Sequence, residues 1–122
     1  MIGYVTIGTN DLQRAAEFYD ALLGEVGGKR YMENDRLVAW SPGNGQPGIG
    51  VCLPFDGRPA CVGNGSMVAI ACDSQDKVRA LYEKALALGG KDEGPPATRF
   101  GNFYAAYFRD PEGNKLNAFH MG

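Results

Sequence analysis

The 122-residue sequence is poor in the side chains that most often bind metals. It contains one histidine and three cysteines, Cys52, Cys61 and Cys72, and no two cysteines form a C-x-x-C pair. An odd number of cysteines without such a pair argues against both a disulfide framework and a zinc clip. The pattern favours reduced thiols in a cytoplasmic protein.

Long apolar runs and an excess of positive charge are also missing. No stretch approaches the roughly 20 apolar residues that cross a bilayer, and the opening MIGYVTIGTNDL lacks the features of a secretory signal. Twelve basic and fourteen acidic residues give a net charge of −2, which offers no concentrated positive field to nucleic acid. We therefore expect no membrane or nucleic-acid partner, and a small neutral or mixed-charge molecule as ligand.

The first half of the chain alternates between strand-like and helical patterns. YVTIGT, residues 4–9, is typical of a strand, and Asn10 or Asp11 is placed to cap a helix over residues 11–24. Three short strand-like segments separated by turns follow, in residues 25–34, 36–41 and 48–55. The order is that of one βαβββ unit.

The second half repeats this order, with a strand, a helix that ends at glycine, and further strands. A shift of 63 residues without gaps superposes Tyr4 on Met67 and Tyr19 on Tyr82, as an internal repeat would. We predict an α+β fold of two βαβββ modules in tandem within a single domain, residues 1–122. The expected divisions are module 1 at about 1–56, a linker at 57–65 and module 2 at about 66–122.

Four features together resemble the vicinal oxygen chelate superfamily, the group of glyoxalases, bleomycin-resistance proteins and extradiol dioxygenases. They are YVTIGTNDLQRAAEFYDALLG, DSQDKVRALYEKALALGG, the strand-turn-strand YFRDPEGNKLNAF and the repeat between the halves. The resemblance implies a curled mixed sheet that forms a cup, with the helices outside and a ligand inside. It also implies a homodimer, because paired modules in similar proteins commonly dimerise.

Enzymes of this superfamily hold one divalent metal. Its ligands are usually His from the first strand of each module and Glu or His from the last strand of each module. The resemblance assigns these positions here to Tyr4, Met67, Asn117 and Pro54, or its neighbour Leu53. None of these side chains is a good metal ligand. We therefore expect no cofactor, with a divalent metal as the alternative.

Strand parity predicts which side chains face the cup, because successive side chains of a strand point to opposite faces. Val5 and Ile7 suit the helix side, which leaves Tyr4 and Thr6 for the cup, and the same parity turns His120 away from it. The predicted ligand pocket comprises Tyr4, Thr6, Trp40, Cys52, Met67, Ala69, Phe103, Tyr107 and Asn117. Arg36 and Arg99 are considered as donors to a ligand carboxylate or, alternatively, as surface residues.

Three functions remain open at this point. The first is a cup that binds a small organic molecule without a catalytic metal, as bleomycin-resistance-type members do. The second is a metal-dependent lyase or isomerase of the lactoylglutathione-lyase type, or a related dioxygenase, in which the metal polarises a carbonyl group. The third is a non-catalytic dimeric interaction module. The sequence leaves undecided whether the protein is an enzyme.

Overall fold

The computed structural model describes all 122 residues, and the chain divides into two compact units, residues 1–62 and 63–122. Each unit has one strand, one helix and three further strands, in that order. The predicted α+β fold of two tandem βαβββ modules is therefore confirmed. Neither helix has the length or the apolar composition that crossing a bilayer requires.

The first module contains one helix and a four-stranded mixed sheet. Its elements are β1 (Tyr4–Gly8), α1 (Leu12–Gly24), β2 (Lys29–Glu33), β3 (Leu37–Ser41) and β4 (Gly48–Cys52). The strand order is β1-β4-β3-β2, with β1 parallel to β4 and the other pairs antiparallel. The parallel pair is possible because the helix crosses over the sheet, so that β2 starts at the same end as β1.

The second module repeats this arrangement, and its last three strands are longer than those of the first. Its elements are β5 (Val68–Ala71), α2 (Gln75–Ala87), β6 (Lys91–Phe100), β7 (Phe103–Arg109) and β8 (Lys115–Met121). The strand order is β5-β8-β7-β6, again with one parallel pair, β5 with β8. The two modules therefore share one topology.

The helices show the internal repeat most clearly. Each has 13 residues, and each begins at a side-chain cap, where Asp11 accepts the Arg14 N–H and Ser74 accepts the Lys77 N–H. Of the two residues predicted to cap the first helix, Asp11 is the one that does so. Such caps satisfy backbone donors that the first helical turn leaves unpaired.

Each sheet packs one face against its own helix, and this layer forms the core of the module. In the first module Trp40 and Val51 pack with Tyr19 and Leu22 of α1, and all four are almost fully buried. In the second module the corresponding buried residues are Phe108, Leu116, Val78 and Leu81. Burying each such side chain contributes about 1.5–3 kcal/mol, so the opposite face of each sheet is not needed to form the core.

A charged pair joins α1 to this core in the first module. Arg30 donates two hydrogen bonds to the Asp20 carboxylate, from Nε to Oδ1 at 2.9 Å and from Nη2 to Oδ2 at 2.7 Å. The Trp40 indole N–H donates to the same carboxylate at 2.8 Å. Arg30, followed by the indole, holds the pKa of Asp20 below its usual value against the opposing effect of burial.

We expect Asp20→Asn to lower the free energy of unfolding at pH 7, because it removes the ion pair with Arg30. The expected loss is only about 1 kcal/mol, since the pair is partly exposed and screened by solvent. The lowered pKa means that the stabilisation exists above the unfolded-state value and is lost as pH falls through the folded-state value. Urea unfolding followed by Trp40 fluorescence at pH 7 and pH 2.5 tests this. A difference between wild type and variant that is equally large at both pH values would contradict it.

Candidate functional site

The face of each sheet that lies opposite its helix is here called the open face. Cross-strand partners point to the same face, so the observed pairing identifies its residues. In the first module Tyr4 and Thr6 pair with Gly48 and Gly50, and Cys52 pairs with Gly8 on the same side. Tyr4 and Thr6 are exposed and Cys52 is half-buried. The predicted positions Tyr4, Thr6 and Cys52 therefore share one open face.

In the second module the open face includes the other predicted positions. Asn117 pairs with Ala69 on one side and Tyr107 on the other, and Phe103 lies further along β7 with the same parity. Met67 precedes β5, has the parity of Ala69, and is 43% exposed. These five residues belong to one surface of one sheet.

Trp40 does not belong to the open face. Its ring contacts Tyr19 at a centroid distance of 5.7 Å, its indole N–H binds Asp20, and only 1% of the residue is exposed. Both of these partners are in α1, so Trp40 lies on the helix side of its sheet. Its assignment to the ligand pocket is corrected accordingly.

The strand register also corrects the assignment of Pro54 as the first-module position equivalent to Asn117. Thr6 pairs with Gly50 in the first module, as Ala69 pairs with Asn117 in the second. Gly50 therefore occupies the place equivalent to Asn117, and Pro54 lies beyond the end of β4. The cause is the longer β6 and β7, which shift the last strands by four residues beyond the ungapped repeat.

Asn117 is held by the main chain of its own sheet. Its Nδ2 donates to the carbonyl oxygen of Ala106 at 3.0 Å and lies 3.4 Å from that of Ala118, and the residue is 1% exposed. No fully buried side-chain oxygen or nitrogen lacks a partner, and Oδ1 accepts no hydrogen bond from the protein. Oδ1 is therefore the atom of Asn117 with unused hydrogen-bonding capacity, a neutral acceptor on an almost fully buried residue.

The residues at the implied metal positions do not fit a divalent metal. Tyr4 and Met67 offer a phenol and a thioether, Gly50 offers no side chain, and Asn117 offers one amide oxygen. No group of three or more His, Cys, Asp or Glu side chains that could hold a metal exists in the chain. Zinc, nickel and ferrous sites rely on several such donors that converge on one point.

His120, the one histidine, and the buried Cys72 do not contribute to the open face. His120 pairs with Tyr104, away from the open face, and its Nδ1 is 2.9 Å from the carbonyl oxygen of Cys72. Burial raises the pKa of the Cys72 thiol to about 11, so this cysteine stays protonated at neutral pH. The structure thus places His120 where strand parity predicts.

Two positively charged side chains lie over the ring of Tyr107, at one end of the second module's open face. Arg99 and Lys115 each approach its ring, with Cζ at 5.4 Å and Nζ at 5.5 Å from the centroid. A hollow of about 510 Å³ adjoins this group and is lined by residues 63–67 together with Tyr107, Arg109 and Lys115. Arg99 is one of the two arginines considered above as donors to a ligand carboxylate, whereas Lys115 is not among the residues of the predicted pocket.

Phe103 lies at the other end of the same face and belongs to an aromatic stack. Its ring is 4.8 Å from Phe100 and 5.4 Å from Phe119, with interplanar angles of 12° and 23°. Phe100 is 66% exposed, so the stack is accessible at its edge. This end of the open face is apolar, in contrast to the end at Tyr107.

Arg36, the other arginine considered from the sequence, and Arg109 of the hollow both have local structural partners. Arg36 donates to the Leu53 carbonyl at 3.1 Å and lies over the exposed Phe55 ring at 5.1 Å. Arg109 donates to Glu93 at 2.6 Å and to the Gly113 carbonyl at 3.0 Å, which supports the turn before β8. Neither guanidinium is left free for a ligand in the way that Lys115 is.

The turn DPEGN is organised by the buried carboxylate of Asp110. Its Oδ1 accepts the backbone N–H groups of Glu112, Gly113 and Asn114 at 3.0, 2.9 and 2.9 Å, and Oδ2 accepts the Asn114 side-chain amide at 3.0 Å. Gly113 has a φ of 106°, which favours glycine. All of these bonds stay within the turn, so Asp110 positions the start of β8.

Comparison with known proteins agrees with this topology. Residues 1–118 match the family described as the Glyoxalase/Bleomycin resistance protein/Dioxygenase superfamily, and no curated protein sequence is significantly similar. A glyoxalase/bleomycin resistance protein from Albidiferax ferrireducens T118 shares 38% identity, with a TM-score of 0.91 over 100% of this chain and 99% of the other.

More distant structures share the fold alone. A putative glyoxalase from Bacillus halodurans has 23% identity and a TM-score of 0.80, over 98% of this chain and 95% of the other. A lactoylglutathione lyase from Agrobacterium tumefaciens has 21% identity and a TM-score of 0.74, over 98% and 92%. With the family match over nearly the whole length, the chain belongs to the glyoxalase/bleomycin resistance protein/dioxygenase superfamily.

Proposed function

We propose that this superfamily member binds a small organic molecule at its open faces without a catalytic metal. The observation that supports this most is the side-chain set at the implied metal positions, Tyr4, Gly50, Met67 and Asn117, which contains no imidazole, thiolate or carboxylate. The same faces retain exposed polar and aromatic groups. A surface of this composition suits hydrogen bonding and ring contacts with an organic ligand.

The candidate contacts differ between the two modules. In the first, the exposed Tyr4 phenol and Thr6 hydroxyl can donate or accept hydrogen bonds above the glycines of β4. In the second, the almost fully buried Asn117 has no protein donor at Oδ1, while its Nδ2 stays bound to the Ala106 carbonyl. Because that amide is fixed, its oxygen is a preorganised acceptor, which lowers the entropic cost of binding.

A metal-dependent lyase is the other activity that the family suggests. It would use a bound metal to polarise a carbonyl group, and the distant lactoylglutathione lyase shares only the fold at 21% identity. The donor set of this chain does not fit such a centre. We therefore assign no catalytic step to these residues.

Native mass spectrometry of freshly purified protein, prepared without a metal-affinity tag or chelator, tests the proposal. We expect the chain to carry a small organic adduct, or to take one up from a cell extract, in the absence of a stoichiometric divalent ion. The same spectrum reports the assembly state, for which we propose a homodimer. One tightly held zinc, nickel, manganese or iron ion per chain would refute the proposal.

A further inference from the structure

Two cations at the open face of the second module have no carboxylate partner. Three other arginines do form ion pairs. Arg30 pairs with Asp20 and Glu33, Arg79 pairs with Asp76, and Arg109 pairs with Glu93. Lys115 forms none, and Arg99 donates instead to the carbonyls of Ala105 and Pro95. Both instead lie against the ring of Tyr107. A ring stabilises a cation modestly and leaves its charge uncompensated.

This uncompensated charge lies beside free space. Lys115 and Tyr107 line the hollow of about 510 Å³, together with the glycine-rich segment 63–66. The other charged residue in its lining, Arg109, is already paired with Glu93. An anion in the hollow would therefore meet Lys115 first, without displacing a carboxylate of the protein.

The surface beyond the hollow is made of small residues and then of aromatic ones. Ala69 and Ala71 of β5 lie next to Asn117 and Phe119 of β8, and both alanines are exposed. Phe119 is four positions after Lys115 in β8, about 13 Å away at the strand rise of ~3.3 Å per residue. The open face is thus cationic at one end, flat in the middle and aromatic at the other end.

We propose that this face binds an aromatic organic anion, with its carboxylate at Lys115 and its rings toward Phe103 and Phe119. The inference rests on the proposed function and specifies the ligand class for the second module. Charge complementarity determines the orientation of the ligand. The aromatic stack has no charged group, whereas the Tyr107 end has two cations without a carboxylate partner. Planar rings suit the stack because Phe103 and Phe119 lie nearly parallel, at 23°.

Calorimetric titration with biphenyl-4-carboxylate and its uncharged analogue biphenyl-4-carboxamide tests this assignment. The two molecules have nearly the same shape and differ in charge. We expect the carboxylate to bind about fivefold more tightly at low salt, the upper range for an exposed ion pair, and this preference to shrink as added salt screens the charge.

Two lysine variants test whether the ligand carboxylate contacts Lys115. Lys115→Met keeps the length of the side chain and removes its charge, so it should remove the preference for the carboxylate while leaving carboxamide binding within twofold. Lys77→Met is the matched control, because Lys77 lies in the first turn of α2 on the other side of the same module. It should leave both affinities unchanged.

The outcomes separate this inference from the proposed function. Equal binding of both molecules, unchanged by Lys115→Met, overturns the ligand class while leaving an organic ligand in place. Binding of neither molecule, with no adduct in the native mass spectrum, overturns both. Carboxylate affinity that falls as protein concentration rises assigns the face to a second copy of the chain and also overturns the inference.

Discussion

Asn117→Asp is expected to lower the free energy of unfolding by about 2–3 kcal/mol at neutral pH. The substitution hardly changes side-chain size, but it places a carboxylate oxygen against the carbonyl of Ala106, which now accepts from Nδ2 at 3.0 Å. The site is 1% exposed, so water cannot compensate for two opposed acceptors. Urea unfolding measured at pH 7 checks the value.

Asn117→Leu is the matched control for this prediction. It removes the donor without adding charge, so we expect a smaller cost of about 1–2 kcal/mol for the unsatisfied Ala106 carbonyl. Acidification should restore part of the stability of the aspartate variant alone, because a protonated carboxyl again offers a donor. An aspartate variant as stable as wild type at pH 7 would contradict the role assigned to the Nδ2 hydrogen bond.

Asp110→Ala is expected to have a similarly large effect, about 2–4 kcal/mol. The carboxylate accepts three backbone N–H groups and one side-chain amide, and the residue is 4% exposed. Its loss leaves several donors in a tight turn without their acceptor. Thermal and urea unfolding should both report this loss.

Asp56→Ala provides the comparison within the same chain. Asp56 accepts one N–H, from Arg58 at 2.9 Å, in an exposed turn, so water can replace its side chain. We expect a cost below about 0.5 kcal/mol. Equal costs for the two variants would show that the Asp110 carboxylate does not organise the DPEGN turn.

The sequence predicted the elements of this fold because their signals are local. Apolar spacing, the cap at Asp11 and the glycines after the helices act within a few residues of each other. Strand parity worked for β1, where Val5 and Ile7 alternate with Tyr4 and Thr6. It failed for β3, because its run of apolar residues has no alternation from which to read the direction of Trp40.

The site depended more on contacts between distant segments. The equivalence of Gly50 and Asn117 follows from strand register, and an ungapped repeat cannot show that β6 and β7 are longer. Likewise, Arg99 and Lys115 meet at Tyr107 only because three strands pair across register shifts in β6. The role of Asp110, in contrast, was within reach, since an aspartate before Pro-x-Gly often accepts backbone N–H groups.

The most direct test of metal-independent binding is a titration before and after chelation. Protein dialysed against EDTA and then freed of chelator is titrated with biphenyl-4-carboxylate, or with the carboxamide if only that molecule binds. The account predicts the same affinity for stripped and untreated protein, with no change on adding zinc, nickel or manganese. Binding that disappears on chelation and returns with one of these metals would contradict it.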